Sequence, residues 1–152
     1  MKLSPLQLGY YRVTKFSVTA LPEHEPEHDD IDSLMEHMHV MLNLEHMEEG
    51  DTEQTTEWLV GLGIDFDPSP EDKAPYAFRT DIFGVFSCAK ELPPGMDAEK
   101  LVGINGSSML YGITRELLMG ITEKSMWGGM ILPSMSFTDY KDMLEPDDVG
   151  LT

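Results

Sequence analysis

The sequence predicts an α+β fold: four strands followed by helices. Three observations carry that prediction. Apolar and polar residues alternate through four runs between Tyr10 and Ala89. After Pro93-Pro-Gly95 the apolar period becomes that of a helix. The connections between successive strands are short, which favours an antiparallel meander, since parallel pairing needs crossovers of about a dozen residues or more. Strands first and helices after them give one α+β domain with no internal repeat.

Tyr10 to Leu21 reads as the first strand, with Phe16, Val18 and Ala20 alternating with Ser17 and Thr19. Tyr11 and Val13 sit in the opposite phase, which calls for a bulge or a strand covered on both faces near Thr14. Pro22 ends it, and Glu23 to Asp30 forms a polar, proline-containing and mobile connection. In the second strand Met38, Val40, Leu42 and Leu44 share a face, opposite His37, His39, Met41, Asn43 and Glu45. Glu48-Glu-Gly-Asp-Thr-Glu53 is a turn signal. The third strand alternates Thr56, Trp58, Val60, Leu62, Ile64 and Phe66 with Glu57, Leu59, Gly61, Gly63 and Asp65. Asp67-Pro-Ser-Pro-Glu-Asp72 closes it. Tyr76 to Ala89 is the fourth strand, with Phe78, Ile82, Phe86 and Cys88 on one face.

Asp97 to Leu101 can make a short helical turn that Gly103-Ile-Asn-Gly106 breaks. A long helix then starts at Ser107 or Ser108, both suitable caps, and ends by Gly128. Leu110, Ile113, Leu117 and Ile121 form its apolar row, while Met109, Leu118 and Met119 lie off that row. A helix apolar over so much of its surface needs protein on several sides. One thin sheet cannot supply that, so this row is assigned to an oligomer interface, with Gly112 and Gly120 admitting another backbone. Met126-Trp-Gly-Gly-Met-Ile-Leu-Pro133 cannot continue the helix, yet it is greasier than ordinary surface loops. Ser136 to Leu144 is a short second helix with Phe137, Tyr140 and Leu144 on one side, and Pro146 stops it.

Composition bounds the rest. The chain has 152 residues and a formal net charge of −18, and its ordered core is placed at about residues 8 to 145, ahead of an acidic tail over 145–152. Between Phe16 and Asp72 there are 17 acidic residues and no Lys or Arg; from Lys73 onward there are 11 acidic and 7 basic. That field disfavours nucleic acid and anionic membrane and favours basic partners. Solubility alone accounts for most acidic surfaces. Here the charge coincides with exposed-looking apolar sequence, a pairing suited to holding greasy clients in solution. No run reaches the ~18 apolar residues of a membrane span. The N-terminus lacks the apolar stretch of a signal peptide, so a cytoplasmic location is expected. One cysteine, Cys88, fits a reducing compartment and reads as core filler.

Motifs for catalysis are weak. His24-Glu-Pro-Glu-His28 has the letters of a zinc-protease motif, but Pro26 opposes the helix that motif needs. An acidic tract with incidental histidines explains it better, so neither metal nor cofactor is assigned. Gly61-Leu-Gly63 lies inside a strand and reads as curvature. The chain is expected not to be an enzyme. Of its 12 methionines, six fall between Met109 and Met143. Methionine suits surfaces that adapt to varied apolar partners, although any single one more often fills a core gap.

Four strands, Met109-Leu-Tyr-Gly-Ile-Thr-Arg-Glu116, then Trp127-Gly-Gly-Met-Ile-Leu-Pro133 and Ser136-Phe137 resemble the SecB family of export chaperones. The resemblance spans roughly Leu8 to Leu144 and is sharpest from Gly106. It implies a four-stranded antiparallel sheet, a long helix, an apolar crossover loop and a short second helix. It also implies a homotetramer, a dimer of dimers, with long helices between two eight-stranded sheets. The implied activity is an ATP-independent holdase that keeps unfolded precursor polypeptides soluble and passes them to the SecA motor. By position, the client groove would use Val40, Leu42, Leu44, Trp127, Met130, Ile131, Leu132, Phe137, Tyr140 and Leu144. The family's acidic SecA-docking residues on the first strand are replaced here by Lys15 and Thr19, leaving Glu57 and Asp65 as acidic partner candidates. Gly128 and Gly129 also replace bulkier residues. A chaperone dedicated to a toxin-antitoxin system is therefore the alternative, and an acidic adaptor binding one folded basic partner is the rival from another class.

Overall fold

The computed structural model describes residues 1–26 and 31–146. β1 (Leu6–Ala20), β2 (Met38–His46), β3 (Thr55–Phe66) and β4 (Tyr76–Ala89) form one antiparallel sheet in the order β1-β4-β3-β2. β2, β3 and β4 are the meander their short connections predict. β1 departs from it, pairing with β4 instead of β2. The β1–β2 connection, which contains α1 (Ile31–His37), is long enough to cross the end of the sheet, so the order is that of a Greek key.

The phase conflict in β1 is resolved by two register shifts, between Leu8 and Tyr10 and between Val13 and Lys15. Each slip of one residue reverses which side chains face the core. Leu6 and Leu8, then Tyr11 and Val13, then Phe16, Val18 and Ala20 therefore align with the core-facing positions of β4. The bulge expected near Thr14 is the second of these. Tyr11 and Val13 nevertheless remain exposed.

The first part of the β1–β2 connection is not the loose tract expected. Leu21 N–H donates to the Pro75 carbonyl at 2.8 Å, and Glu25 N–H to the Lys73 carbonyl at 3.2 Å. Glu27 to Asp30 lie outside the described residues, as do residues 147–152, which hold most of the acidic tail.

Gly103 and Gly106 do not break the helical region. α2 (Ala98–Leu101), a π-turn (Val102–Gly106) and α3 (Ser107–Thr122) run on continuously. Its cap is Asp97, whose carboxylate accepts the Lys100 N–H at 2.8 Å. Ser107 and Ser108 sit inside the helix instead of capping it; Ser107 is buried and the Ser108 hydroxyl donates to the Ile104 carbonyl at 2.7 Å. The glycines serve close packing: a Cβ on Gly103 would meet the Tyr140 ring at 2.6 Å. Gly106 lies over Val60 and Phe86.

The core stripe of α3 is rotated from the expected row. Leu110, Tyr111, Thr114, Leu118 and Thr122 face inward. Two threonines can be buried because their hydroxyls donate one turn back, Thr114 to Leu110 at 2.9 Å and Thr122 to Leu118 at 2.7 Å. Leu110 is 0% exposed within its own chain, so it presents nothing to another subunit. Ile113 and Leu117 are partly buried, and Ile121 is exposed.

Candidate functional site

α3 ends at Thr122, and the chain turns through Ser125 and Gly128 before running back along the helix without regular structure. Gly128 has φ 81, a conformation that favours glycine. Side chains of the sheet and helix then hold the returning backbone. The Tyr76 hydroxyl accepts the Trp127 N–H at 2.9 Å and donates to the Gly128 carbonyl at 2.7 Å. Thr122 Oγ1 accepts the Met130 N–H at 2.8 Å. Arg115 Nε donates to the Leu132 carbonyl at 2.9 Å, and the Tyr111 hydroxyl donates to the Pro133 carbonyl. Burial pushes the Tyr111 phenol up to about 12, against the opposing pull of Arg115. A loop that would otherwise lack backbone partners thus has one at nearly every second residue.

Of the expected groove residues, Leu42, Leu132, Phe137 and Tyr140 are buried together in the core. Val40, Leu44, Met130 and Leu144 pack against the same core, partly exposed. Trp127 lies at another end of the sheet, where its Nε1 donates to the Leu21 carbonyl at 2.9 Å and its ring meets His24 edge-on. Ile131 points outward, 68% exposed, as does Met126. Eight of the ten thus belong to or pack against the core, and Leu42 and Leu144 meet where the chain leaves the second helix beside β2. That helix, α4 (Tyr140–Met143), is one turn long, since Ser136 to Thr138 are not helical. Burial raises the Tyr140 phenol pKa, reinforced by nearby Glu99 and Asp97.

Several anchors had no clear sequence signal. Tyr76 looks like any strand aromatic. Arg115 and Thr122, polar residues in an apolar helix, were the available hint. Nothing in the pattern showed that Leu144 would form a parallel bridge with Leu42 at the free edge of β2.

The proposed acidic positions are separate. Glu57 and Asp65 sit eight residues apart on β3, and Asp65 lies in register between His39 and Arg79. Lys15 and Thr19 are exposed on β1, Lys15 opposite Asp81. His24 Nδ1–H donates to the Lys73 carbonyl at 2.7 Å, in a non-helical segment, while His28 lies outside the described residues. Among the described residues no three His, Cys, Asp or Glu side chains come together as a metal site, and no helix is long and apolar enough to cross a membrane.

The sequence matches no protein-family model and no curated protein. Solved structures do match. One is a protein of unknown function from Streptococcus agalactiae, with a TM-score of 0.58 at 14% identity, covering 84% of this chain and 96% of that one. Another is the Mycobacterium tuberculosis SecB-like chaperone Rv1957, solved with a ChAD peptide from the antitoxin HigA1. Its TM-score is 0.51 at 14% identity, over 86% of this chain and 91% of that one. With its four-stranded sheet, long helix and pinned apolar crossover, this chain has the SecB-like fold.

Proposed function

We propose that this chain is an ATP-independent holdase that binds unfolded polypeptide segments through apolar surface. The observation that carries this reading is the crossover itself. Its backbone is held by four side chains while Met126 and Ile131 are each 68% exposed. A monomer without apolar partners gains nothing from holding such residues in water. The −18 net charge supplies solubility to a carrier of greasy cargo. Val40, Leu44, Met130 and Leu144 extend the contact area toward β2. The chemistry needed is apolar contact alone, with no catalytic group, metal or cofactor.

Assembly as a dimer of dimers, in the cytoplasm, belongs to the same proposal. β1 is a 15-residue edge strand with exposed Tyr10, Tyr11 and Val13, the surface through which two sheets could join. The outer face of α3, with Met109, Gly112, Ile113, Leu117, Gly120 and Ile121, would pack on another helix. Delivery of precursors to SecA is the family's usual end point. Lys15 and Thr19 weigh against acidic docking on β1, and Glu57 and Asp65 do not form one patch.

A second reading has a specific observation in its favour: the SecB-like neighbour was solved with an antitoxin peptide. A chaperone dedicated to one antitoxin would use the same surface for one client. Suppression of aggregation of several unrelated unfolded proteins, without nucleotide, tests both. General suppression that Ile131→Asp abolishes, with the fold and mass of the assembly unchanged, supports the general holdase. Protection of one client only supports the dedicated chaperone, and protection of none sinks both in favour of an adaptor for a folded basic partner.

A further inference from the structure

β2 is an edge strand: one side pairs with β3, and the other faces away from the sheet. On a strand, the backbone groups of alternate residues point to the same edge. Leu42 offers its carbonyl to the outer edge, where it accepts the Glu145 N–H at 2.9 Å. Val40 and Leu44 share its phase, so their backbone groups face that edge too, and their side chains lie on the apolar face with Leu42. Between Val40 and Leu44 the described chain supplies this edge with one parallel bridge, Leu42 to Leu144. Leu144 packs, partly buried, against the core cluster to which Leu42 belongs. An edge that binds a short extended segment carrying a leucine is a site for strand addition with an apolar side-chain pocket.

We propose that the segment Met143–Glu145 is a built-in placeholder at the β2 edge, and that an extended segment of a client displaces it and adds as a strand to β2. The occupant is defined by what now fills the place: extended backbone hydrogen-bonded to Leu42, with a bulky aliphatic side chain in the position of Leu144; a longer client strand would reach Val40 and Leu44 as well. Leu144 then plays the client's part instead of lining the client's groove. The tether is short and the bridge is single, so the internal segment competes without sealing the site. Apparent client affinity is reduced by the fraction of molecules in which the segment is seated. This inference rests on the holdase reading and adds the mode of binding and its regulation.

The test uses the full chain, a reduced and alkylated unfolded protein as client, and two readouts. Amide exchange should show Glu145 losing protection and Leu44 gaining it when the client binds. Leu144→Gly should tighten client binding, by about 3- to 10-fold if the segment is seated in roughly 70–90% of molecules. A client that binds both forms equally, leaving Glu145 protected, overturns the placeholder while the holdase reading stands. Looser binding by Leu144→Gly also overturns it, because Leu144 would then be part of the groove wall. A client that binds neither form defeats the holdase reading itself.

Discussion

The hydroxyl of Tyr76, on the first residue of β4, accepts the backbone N–H of Trp127 at 2.9 Å. The same hydroxyl donates to the Gly128 carbonyl at 2.7 Å, so one buried phenol at the end of the sheet holds the start of the crossover. The Trp127 indole is then aimed at the Leu21 carbonyl, joining the crossover to the end of β1. Tyr76→Phe keeps the ring and deletes both bonds. It should cost about 1–3 kcal/mol, because the N–H and carbonyl are left without partners. Chemical denaturation measures that loss, and Trp127 fluorescence should shift toward that of a solvent-exposed indole before the sheet melts. An unchanged midpoint and spectrum would mean that Trp127 is held by its indole bond alone.

Further along, Tyr111 and Arg115 grip the carbonyls of Pro133 and Leu132. The Tyr111 phenol has its pKa raised from 10.0 to about 12 by burial. A raised folded value stabilises the protonated form, so its contribution is complete below pH 10.0 and is lost as pH rises through about 12. Ultraviolet titration of the phenols should show a late-titrating fraction, to which Tyr140 also contributes, and Tyr111→Phe should remove part of it. Tyr111→Phe should also destabilise by about 1–2 kcal/mol at neutral pH, through the unpaired Pro133 carbonyl.

What sequence could and could not disclose follows from which forces leave a pattern. Period-2 alternation in β2, β3 and β4 reflects burial of one sheet face, and it located those strands closely. The phase slip at Tyr11 and Val13 disclosed a bulge because a one-residue insertion must invert the pattern. Pairing of β1 with β4 leaves no such trace, since alternation states a face and not a neighbour. The core stripe of α3 was hidden for a different reason. Thr114 and Thr122 read as polar, yet each satisfies its hydroxyl within the helix and is buried. Gly103 and Gly106 read as breakers, although their lack of a side chain serves the approach of Tyr140, Val60 and Phe86. The apolar crossover was visible as composition. Its anchors were not, because side-chain bonds to a distant backbone have no sequence period.

The β2–β3 hairpin carries its own clasp. Asp51 accepts the Glu57 N–H at 2.9 Å and faces His46 Nε2 at 2.9 Å, while the His46 ring stacks on Trp58. The Glu57 N–H, more than the His46 ring, holds the Asp51 carboxyl below its ordinary value of 3.8. A depressed folded value gives a contribution present above the unfolded pKa and lost as pH falls through the folded one. Asp51→Asn should therefore be less stable than the parent at neutral pH, with the difference shrinking as pH falls below 3.8. Paired thermal melts across that range check the sign, and a constant difference would remove the carboxylate charge from the account.

The two faces of α3 separate folding from assembly. Leu110 is fully buried against Gly84 and the sheet, so Leu110→Ala should cost about 2–5 kcal/mol without changing the mass of the assembly at low temperature. Elsewhere on α3 a Cβ at Gly112 or Gly120 meets nothing within 4 Å, and Ile121, in the last turn, is 51% exposed. In an isolated chain Gly120→Ala would raise helix stability by about 1 kcal/mol, and Ile121→Asp would change stability by less than about 0.5 kcal/mol. Both should instead dissociate the protein if another helix packs there, because a methyl group blocks close approach and a carboxylate is stranded in an apolar contact. Native mass measurement of the three variants decides it. Smaller species for Gly120→Ala and Ile121→Asp, with Leu110→Ala intact, place the interface on this face. Unchanged mass for both surface variants would exclude the outer face of α3 as the assembly surface and leave the β1 edge as the remaining candidate.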